Sequence, residues 1–251
     1  MLKIIKTVLP SPEQWEIIIE GMRNPMNSWG NMDSGICPCG SAFNDCLSDA
    51  ATCPRKSDDF DDAIFCIGPN DNGLMMQLAK GGPVHGKYRR MIPVFLTINA
   101  PLYWWKEFDT YKVGTVANSC STMHKIHAKP FTLDDFSVDH LLNIGCDLFN
   151  IQWENGLFNR NVQPMEFMHD WIIDALNIFR TKYLETKDKD YWWQMIQMLP
   201  SSYNQKRTVM LNYEVLHNIY HSRKNHKLDE WHTFCDWIEQ LPYSEIITIG
   251  G

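Results

Sequence analysis

The chain has no apolar run approaching the ~20 residues that a membrane-spanning helix needs. Met1–Leu9 is too short for the apolar core of a secretion signal, and Pro10 interrupts it before any cleavage-site pattern. A cytoplasmic protein is the expectation. Positive charge is also in deficit. The formal net charge of -7 argues against non-specific nucleic-acid binding by phosphate neutralisation, while leaving room for one local basic pocket. The paired Cys-x-x-Cys spacing of strong zinc sites is missing as well. Four of the eight cysteines, Cys37, Cys39, Cys46 and Cys53, crowd into a stretch rich in Gly, Ser, Asp and Asn. Four thiolates can hold zinc or an iron–sulfur cluster, but at this spacing free thiols in a surface insert are the simpler reading, and no metal ligands are assigned. A disulfide framework is disfavoured without a secretion signal. Cys66, Cys120, Cys146 and Cys235 are scattered and read as small buried residues. Internal repeats and low-complexity segments are absent.

What is present suits a soluble globular chain. Its 251 residues fit one domain, with about 27–70 as a Cys-rich insert or loop within it. Ten tryptophans and twelve phenylalanines can fill an interior or an oligomer interface. Lys3–Val8 reads as a strand, and Ser11-Pro12-Glu13 opens a helix through Trp15–Met22. Asp71–Lys80 reads as a short helix capped by Asp71 and stopped by Gly81-Gly82. Ile92–Asn99 alternates as a strand does. Helices are expected over Leu102–Lys112, Leu133–Asn150 and Met165–Leu184, the last with Trp171, Ala175, Ile178 and Phe179 as its apolar side. Lys187–Asp190 is a charged turn. The fold class is α/β, helix-rich with few strands. Trp104, Trp105, Trp192 and Trp193 read as core or interface anchors.

The last fifty residues are the most informative. Thr208–Arg223 reads as one helix in which Asn212, Leu216, Ile219 and Arg223 share a face about 16 Å long at ~1.5 Å per residue. An amide at one end and a guanidinium at the other suggest the wall of an elongated ligand site. The order Leu199-Pro200, Asn212, Leu216, Asn218, Arg223 resembles the C-terminal helix of the flavin-dependent thymidylate synthases (the ThyX-like, thymidylate synthase complementing proteins). There the spacing is Leu-Pro … Asn-x-Arg-x-Leu-x-Asn … Leu-Arg. Upstream, Leu74, Leu78, Gly82 and His85, a strand running into Ala100-Pro101, and Tyr183-Leu184 follow the family's order too.

The resemblance implies an α/β fold with a small, mostly antiparallel sheet, assembled as a homotetramer with active sites between subunits. It implies an enzyme that uses FAD, a reduced nicotinamide (NADPH) and methylenetetrahydrofolate to methylate C5 of dUMP, the flavin carrying the chemistry. Arg223 would contact the pyrimidine carbonyls, and His85 would sit beside the flavin. Asn118, Ser119, Ser121 and Gln197 would join Arg223 in binding substrate. Tyr111, Lys112, Asn212 and Asn218 would join His85 on the cofactor.

The chain departs from the pattern within the family's signature, Arg-His-Arg-x-x-Ser-x-Asn-Glu-x-Ser-x-Arg-Tyr. Thr115, Asn118 and Ser121 can stand for its first Ser, its Asn and its second Ser. Both arginines of Arg-His-Arg are gone, leaving Lys112. The Glu is Ser119, and the final Arg-Tyr is Met123-His124. The arginine before Leu-Pro lines up near Ile196, with Gln197 alongside, and the one after the helix Asn is Glu214. These losses remove bidentate phosphate ligands. His124, Lys125, His127 and Lys129 form a cationic cluster that could take over part of the anion binding. Plainer roles stand beside these. Arg223 can be a solvated helix-end arginine among His221, Lys224, His226 and Lys227, and Asn212 a buried amide satisfied by backbone. His85 can be incidental in its turn, Tyr111 and Lys112 a helix end, and Asn118, Ser119 and Ser121 loop hydrogen-bonders. A non-catalytic nucleotide-binding protein on this scaffold is the second expectation, and a metal-stabilised interaction protein built on Cys37–Cys53 the third.

Overall fold

The structure, a computed structural model, describes residues 1–37, 64–141 and 165–250. Cys39, Cys46, Cys53 and Cys146 lie outside these residues, as does the 142–150 end of the expected Leu133–Asn150 helix. Two compact units divide the chain. The first comprises Met1–Lys3, Ile98–Thr110 and Asn118–Arg207; the second comprises Ile4–Thr97, Tyr111–Ala117 and Thr208–Gly251. A four-stranded sheet has the order β1 (Lys3–Val8), β4 (Pro93–Pro101), β6 (Asn204–Asn212), β5 (Val116–Ser119). β4 and β6 each run through both units. Within the first unit the Leu102 amide donates to the Tyr203 carbonyl; within the second, Thr97 faces Thr208 and the Tyr213 amide donates to the Ile92 carbonyl. Val94, Leu96, Ile98 and Ala100 of β4 and Val209 and Leu211 of β6 are buried, while Phe95 and Thr208 are exposed. That period of two is what a strand with one covered face requires.

In the second unit, α1 (Pro12–Arg23) begins where the sequence places it. Ser11 caps it, Gln14 answers in a capping box, and Pro12 takes the first helical position. Trp15, Ile18, Ile19 and Met22 fall on one face and are buried. α2 (Pro69–Lys80) starts two residues earlier than expected. Its N-cap is Gly68 and Pro69 opens it, so Asp71 is not the cap. The Asp71 carboxylate points inward instead, fully buried. It accepts hydrogen bonds from Arg23 Nε, Ser34 Oγ and the amides of Asp33 and Ser34. Asp33 in turn accepts from the Asn70 and Asp71 amides at the start of α2. Next to this network β2 (Gly35–Cys37) pairs antiparallel with β3 (Ile64–Cys66), so the expected loop over 27–70 contains a short hairpin stem.

In the first unit, α3 (Leu102–Phe108) stops four residues short of the expected Lys112. Trp104, Trp105 and Phe108 are buried on it as expected of anchors. The expected helix from Leu133 is only a 3-10 turn over Leu133–Asp135; Phe136 leaves it extended and bridges Tyr203. The Thr132–Asp135 capping box saturates the turn, and burial of Phe136 against Tyr203 holds the chain extended. α4 (Met165–Thr186) and α5 (Lys189–Met198) follow. The expected apolar side of α4 is right for Phe179, which packs on the core, but wrong for Trp171 and Ile178, which are exposed while Ile173 and Leu176 enter a core with Ile126, Phe131, Phe136, Met195 and Tyr203. Trp192 packs against that core, but Trp193 is 40% exposed and anchors nothing there. Cys66 and Cys235 are buried as expected, whereas Cys120 is exposed.

Burial by itself would raise the Asp71 carboxyl, but hydrogen bonds from Ser34, Arg23 and the Asp33 amide outweigh it and hold the group below the usual carboxylate value. Its stabilising contribution is therefore present above pH ~4 and is lost as the pH falls from there through the depressed value. Asp71→Ala is expected to lower the unfolding free energy by about 3–5 kcal/mol, because Arg23 is left buried without its counter-ion. Urea denaturation reads this directly, and an unchanged midpoint contradicts it.

Candidate functional site

The segment Thr208–Arg223 is not one helix. β6 carries Thr208 to Asn212, and α6 (Tyr213–Arg223) begins only after it. Asn212 has extended backbone and caps α6, its side chain accepting from the Val215 amide at 3.0 Å. That is the backbone-satisfied amide role, and it ends the idea of a continuous polar-ended stripe. Leu216 and Ile219, from the same expected stripe, are fully buried core.

Arg223, in the last turn of α6, is held in an aromatic clamp. Its guanidinium carbon lies 4.9 Å from the Trp231 ring centroid and 5.6 Å from that of Tyr111, and Nε donates to the Tyr111 hydroxyl at 2.9 Å. Trp231, in the first turn of α7 (Asp229–Glu239), is fully buried, and its ring meets Tyr111 edge-on at 6.1 Å. The His226 ring meets the same indole edge-on at 6.4 Å. A guanidinium stacked on aromatic rings keeps its charge and planar fork while losing its rotational freedom. Arg223 is therefore half-buried and oriented, unlike a solvated helix-end arginine.

The Tyr111–Thr115 segment lies along α6 from one end to the other. Tyr111 meets Arg223, and Gly114 reaches Asn212 and Val215 at the opposite end. Gly114 has φ +81°, and a Cβ there would stand 3.1 Å from Val215 and 3.2 Å from the Asn212 amide nitrogen. Both the turn and the close approach therefore require glycine. The Thr115 hydroxyl is buried with no hydrogen-bond partner.

The start of α6 is fixed by charge. Glu214 pairs with Arg89 at 2.9 Å in the interior, and Arg89 also donates to the Ile246 carbonyl at 3.1 Å. Glu214, which stands where the family pattern has an arginine, is thus neutralised internally. One turn on, His217 Nδ1 contacts the Ile247 carbonyl at 2.7 Å, which makes that nitrogen the donor. Burial is the largest influence on His217 and holds its imidazole below the ordinary value. It outweighs the Ile247 contact, which favours the cation; Arg89 and His221 push the same way as burial.

The structure thus brings Tyr111, Asn212 and Arg223 onto one helix through a shared loop. The other assigned residues have different local surroundings. His85 is exposed and flanks Gly81, in a turn closed by its own amide on Gly82. Lys112 and Asn218 are exposed. Asn118 and Ser119 lie on β5, exposed along its whole length. Ser121 uses its hydroxyl to accept from the amides of Met123, His124 and Lys125, a loop-forming role. Gln197 is exposed on α5. Gly114, Trp231 and Arg89 escaped the sequence reading. Gly114 carried a turn signal and Trp231 a place near Arg223, but nothing local marked Arg89. A surface cavity of about 410 Å³ lies instead against Arg23, Met26, Ser28, Asn31, Asn70 and Leu74, none of them an expected site residue. Among the described residues no three His, Cys, Asp or Glu side chains converge as a metal site, and no helix is long and apolar enough to cross a membrane.

No protein-family model matches the chain, and no curated protein matches it in sequence. Solved structures do match. Two are of thymidylate synthase X from Helicobacter pylori, complexed with FAD and dUMP, each 13% identical with a TM-score of 0.55. They cover 98% of this chain, which covers 94% and 95% of theirs. A third is the UMP/dUMP methylase PolB from Streptomyces cacaoi bound with 5-Br dUMP, 12% identical, TM-score 0.50, covering 98% of this chain and 93% of its own. The chain has the flavin-dependent thymidylate synthase fold, as its resemblance implied.

Gly114→Ala is expected to destabilise the protein by about 1–3 kcal/mol through left-handed strain and contact with Val215. It should also loosen the clamp, read as increased Trp231 fluorescence quenching by acrylamide against the other tryptophans held as Phe. Unchanged stability contradicts the claim.

Proposed function

We propose that this protein binds a dUMP-like pyrimidine nucleotide and is a divergent thymidylate synthase-like enzyme transferring a one-carbon unit to C5 of the base. Two features support the reading: a fold shared with proteins crystallised with dUMP or 5-Br dUMP, and the clamped Arg223. The Arg223 clamp carries it. C5 of a pyrimidine becomes nucleophilic as the ring takes on enolate character, with negative charge shared onto a ring carbonyl oxygen. A guanidinium already fixed in orientation stabilises that charge without reorganising, which is the largest kind of electrostatic contribution a site can make. Tyr111 and Trp231 supply the fixing, and their rings exclude water from one side of it. Methylenetetrahydrofolate as carbon donor, NADPH as reductant and a homotetramer with sites between subunits are the expectations that come with the resemblance.

FAD fits these residues poorly. Of those assigned to it, Asn212 is engaged in capping, the Tyr111 hydroxyl is engaged by Arg223, and His85, Lys112 and Asn218 are exposed. The position of a lost family arginine is Glu214, already paired with Arg89. No step is drawn through the flavin. This same pair favours a second reading, a nucleotide-binding protein on the scaffold without turnover.

Thermal unfolding with dUMP, dCMP, FAD and methylenetetrahydrofolate added separately tests the proposal. At ~100 times its Kd, dUMP should stabilise the fold by about 2.7 kcal/mol. Arg223→Gln should weaken that binding about 10- to 100-fold, the loss of hydrogen bonds from a charged group. Stabilisation by dUMP with methylation on adding all co-substrates supports the enzyme; stabilisation without turnover supports the second reading. If no pyrimidine nucleotide stabilises the protein, both fail.

A further inference from the structure

Another cationic cluster lies in the first unit, assembled partly from residues the sequence did not connect. Of the expected cluster, Lys129 is spent on Asp135, and His124 is exposed in the Ser121 turn. Lys125 and His127 remain and gain Arg180 and Lys187 from α4 and the residue following it. Arg180 Nε donates to the His127 carbonyl at 3.0 Å. The His127 ring packs edge-on against Tyr183 at 4.8 Å, and Lys187 Nζ stands 5.8 Å from the same Tyr183 ring. Tyr183 is thus a shared platform for an imidazole and an ammonium.

Two details indicate that this gathering of charge is built. Lys187 adopts φ +58°, the left-handed region that costs a lysine about 1–2 kcal/mol and that glycine takes freely. Its amide closes α4 on the Tyr183 carbonyl at 2.8 Å, and its side chain lies over Tyr183. A backbone outlier retained by a charged residue points to a use for that side chain. Second, His127 Nδ1 is buried without a hydrogen-bond partner. Burial, then Lys125, Lys187 and Arg180, hold the imidazole below its ordinary value, so every charged neighbour acting on the ring is a cation. The nearby acids are committed elsewhere: Asp135 to Lys129, Glu185 to Lys182 at 3.5 Å, and Asp188 to capping α5.

We propose that Lys125, His127, Arg180 and Lys187 form a binding site for a phosphoryl group, taken either as free phosphate or as a phosphomonoester. A doubly charged tetrahedral anion supplies the counter-charge the cluster lacks and presents acceptor oxygens to several donors at once. The site goes beyond the pyrimidine reading and does not depend on it.

The His127 imidazole is its own reporter. Its titration is followed by NMR in the full-length protein at constant ionic strength, with chloride exchanged for inorganic phosphate, and in parallel with dUMP or deoxyuridine. Phosphate should raise the His127 midpoint by about 0.5–1 pH unit, because a bound anion favours the imidazolium. Lys125→Gln with Lys187→Gly, the latter compatible with the left-handed backbone, should abolish the rise. Lys182→Gln, already paired with Glu185, should leave it intact. A rise with dUMP and phosphate but not deoxyuridine identifies a phosphomonoester as an accepted source; a rise with phosphate alone identifies the free ion. The proposal is overturned if phosphate leaves the midpoint where chloride does, or if the double variant responds like the parent. Because inorganic phosphate carries no base, failure of pyrimidine binding at Arg223 would leave this result standing.

Discussion

The second unit is organised by the point at which β6 becomes α6. Asn212 ends the strand and caps the helix, the Tyr213 amide ties that corner to Ile92 at the start of β4, and Glu214 locks it to buried Arg89. A buried ion pair of this kind adds little net stability over an apolar pair, but breaking it by removing one partner costs about 3–5 kcal/mol. Its value here is one of register. With the first turn of α6 pinned, Arg223 can emerge only where Tyr111 and Trp231 receive it, and the Tyr111–Thr115 segment has only one course along the helix.

The same corner gives Glu214 its place. Where flavin-dependent thymidylate synthases carry an arginine two residues after the helix Asn, this chain carries Glu214 and turns it inward onto Arg89. Arg223 at the far end of α6 keeps both its spacing and a prepared environment. The two ends of one short helix are thus both tied down, the first by Asn212 and Glu214 and the last by Arg223 against Tyr111 and Trp231. In the first unit His127 and Lys187 meet on the Tyr183 ring, and Arg180 donates to the His127 carbonyl.

Much of the fold was legible where local and tertiary signals agree. Ser11-Pro12 with Gln14 fixes the start of α1, and alternation over Pro93–Pro101 fixes β4. The errors fall where they disagree. Val209 and Leu211 alternate as a strand, yet Leu216 and Ile219 beyond them recur as a helix, and reading one period across both erased the junction at Asn212. Asp71 looked like a cap because it lies in the first turn of α2; its long-range partner Arg23 drew it inward. On α4 the large residues Trp171 and Ile178 suggested the wrong face, since burial follows the angle toward Met195 and Tyr203 rather than size. Spacing singled out Arg223, whose role in a site is a proposal. Trp231, Gly114 and Arg89 act through contacts that no local pattern encodes.

The central claim is that Arg223, fixed by Tyr111 and Trp231, is the group that meets the pyrimidine. A crystal structure of the protein grown with dUMP tests it most directly. The account requires a pyrimidine carbonyl oxygen within hydrogen-bonding distance of the Arg223 guanidinium, about 2.7–3.2 Å, with the Tyr111 and Trp231 rings still in place. A nucleotide bound away from Arg223, or an Arg223 that swings out of the clamp when the base binds, would contradict it.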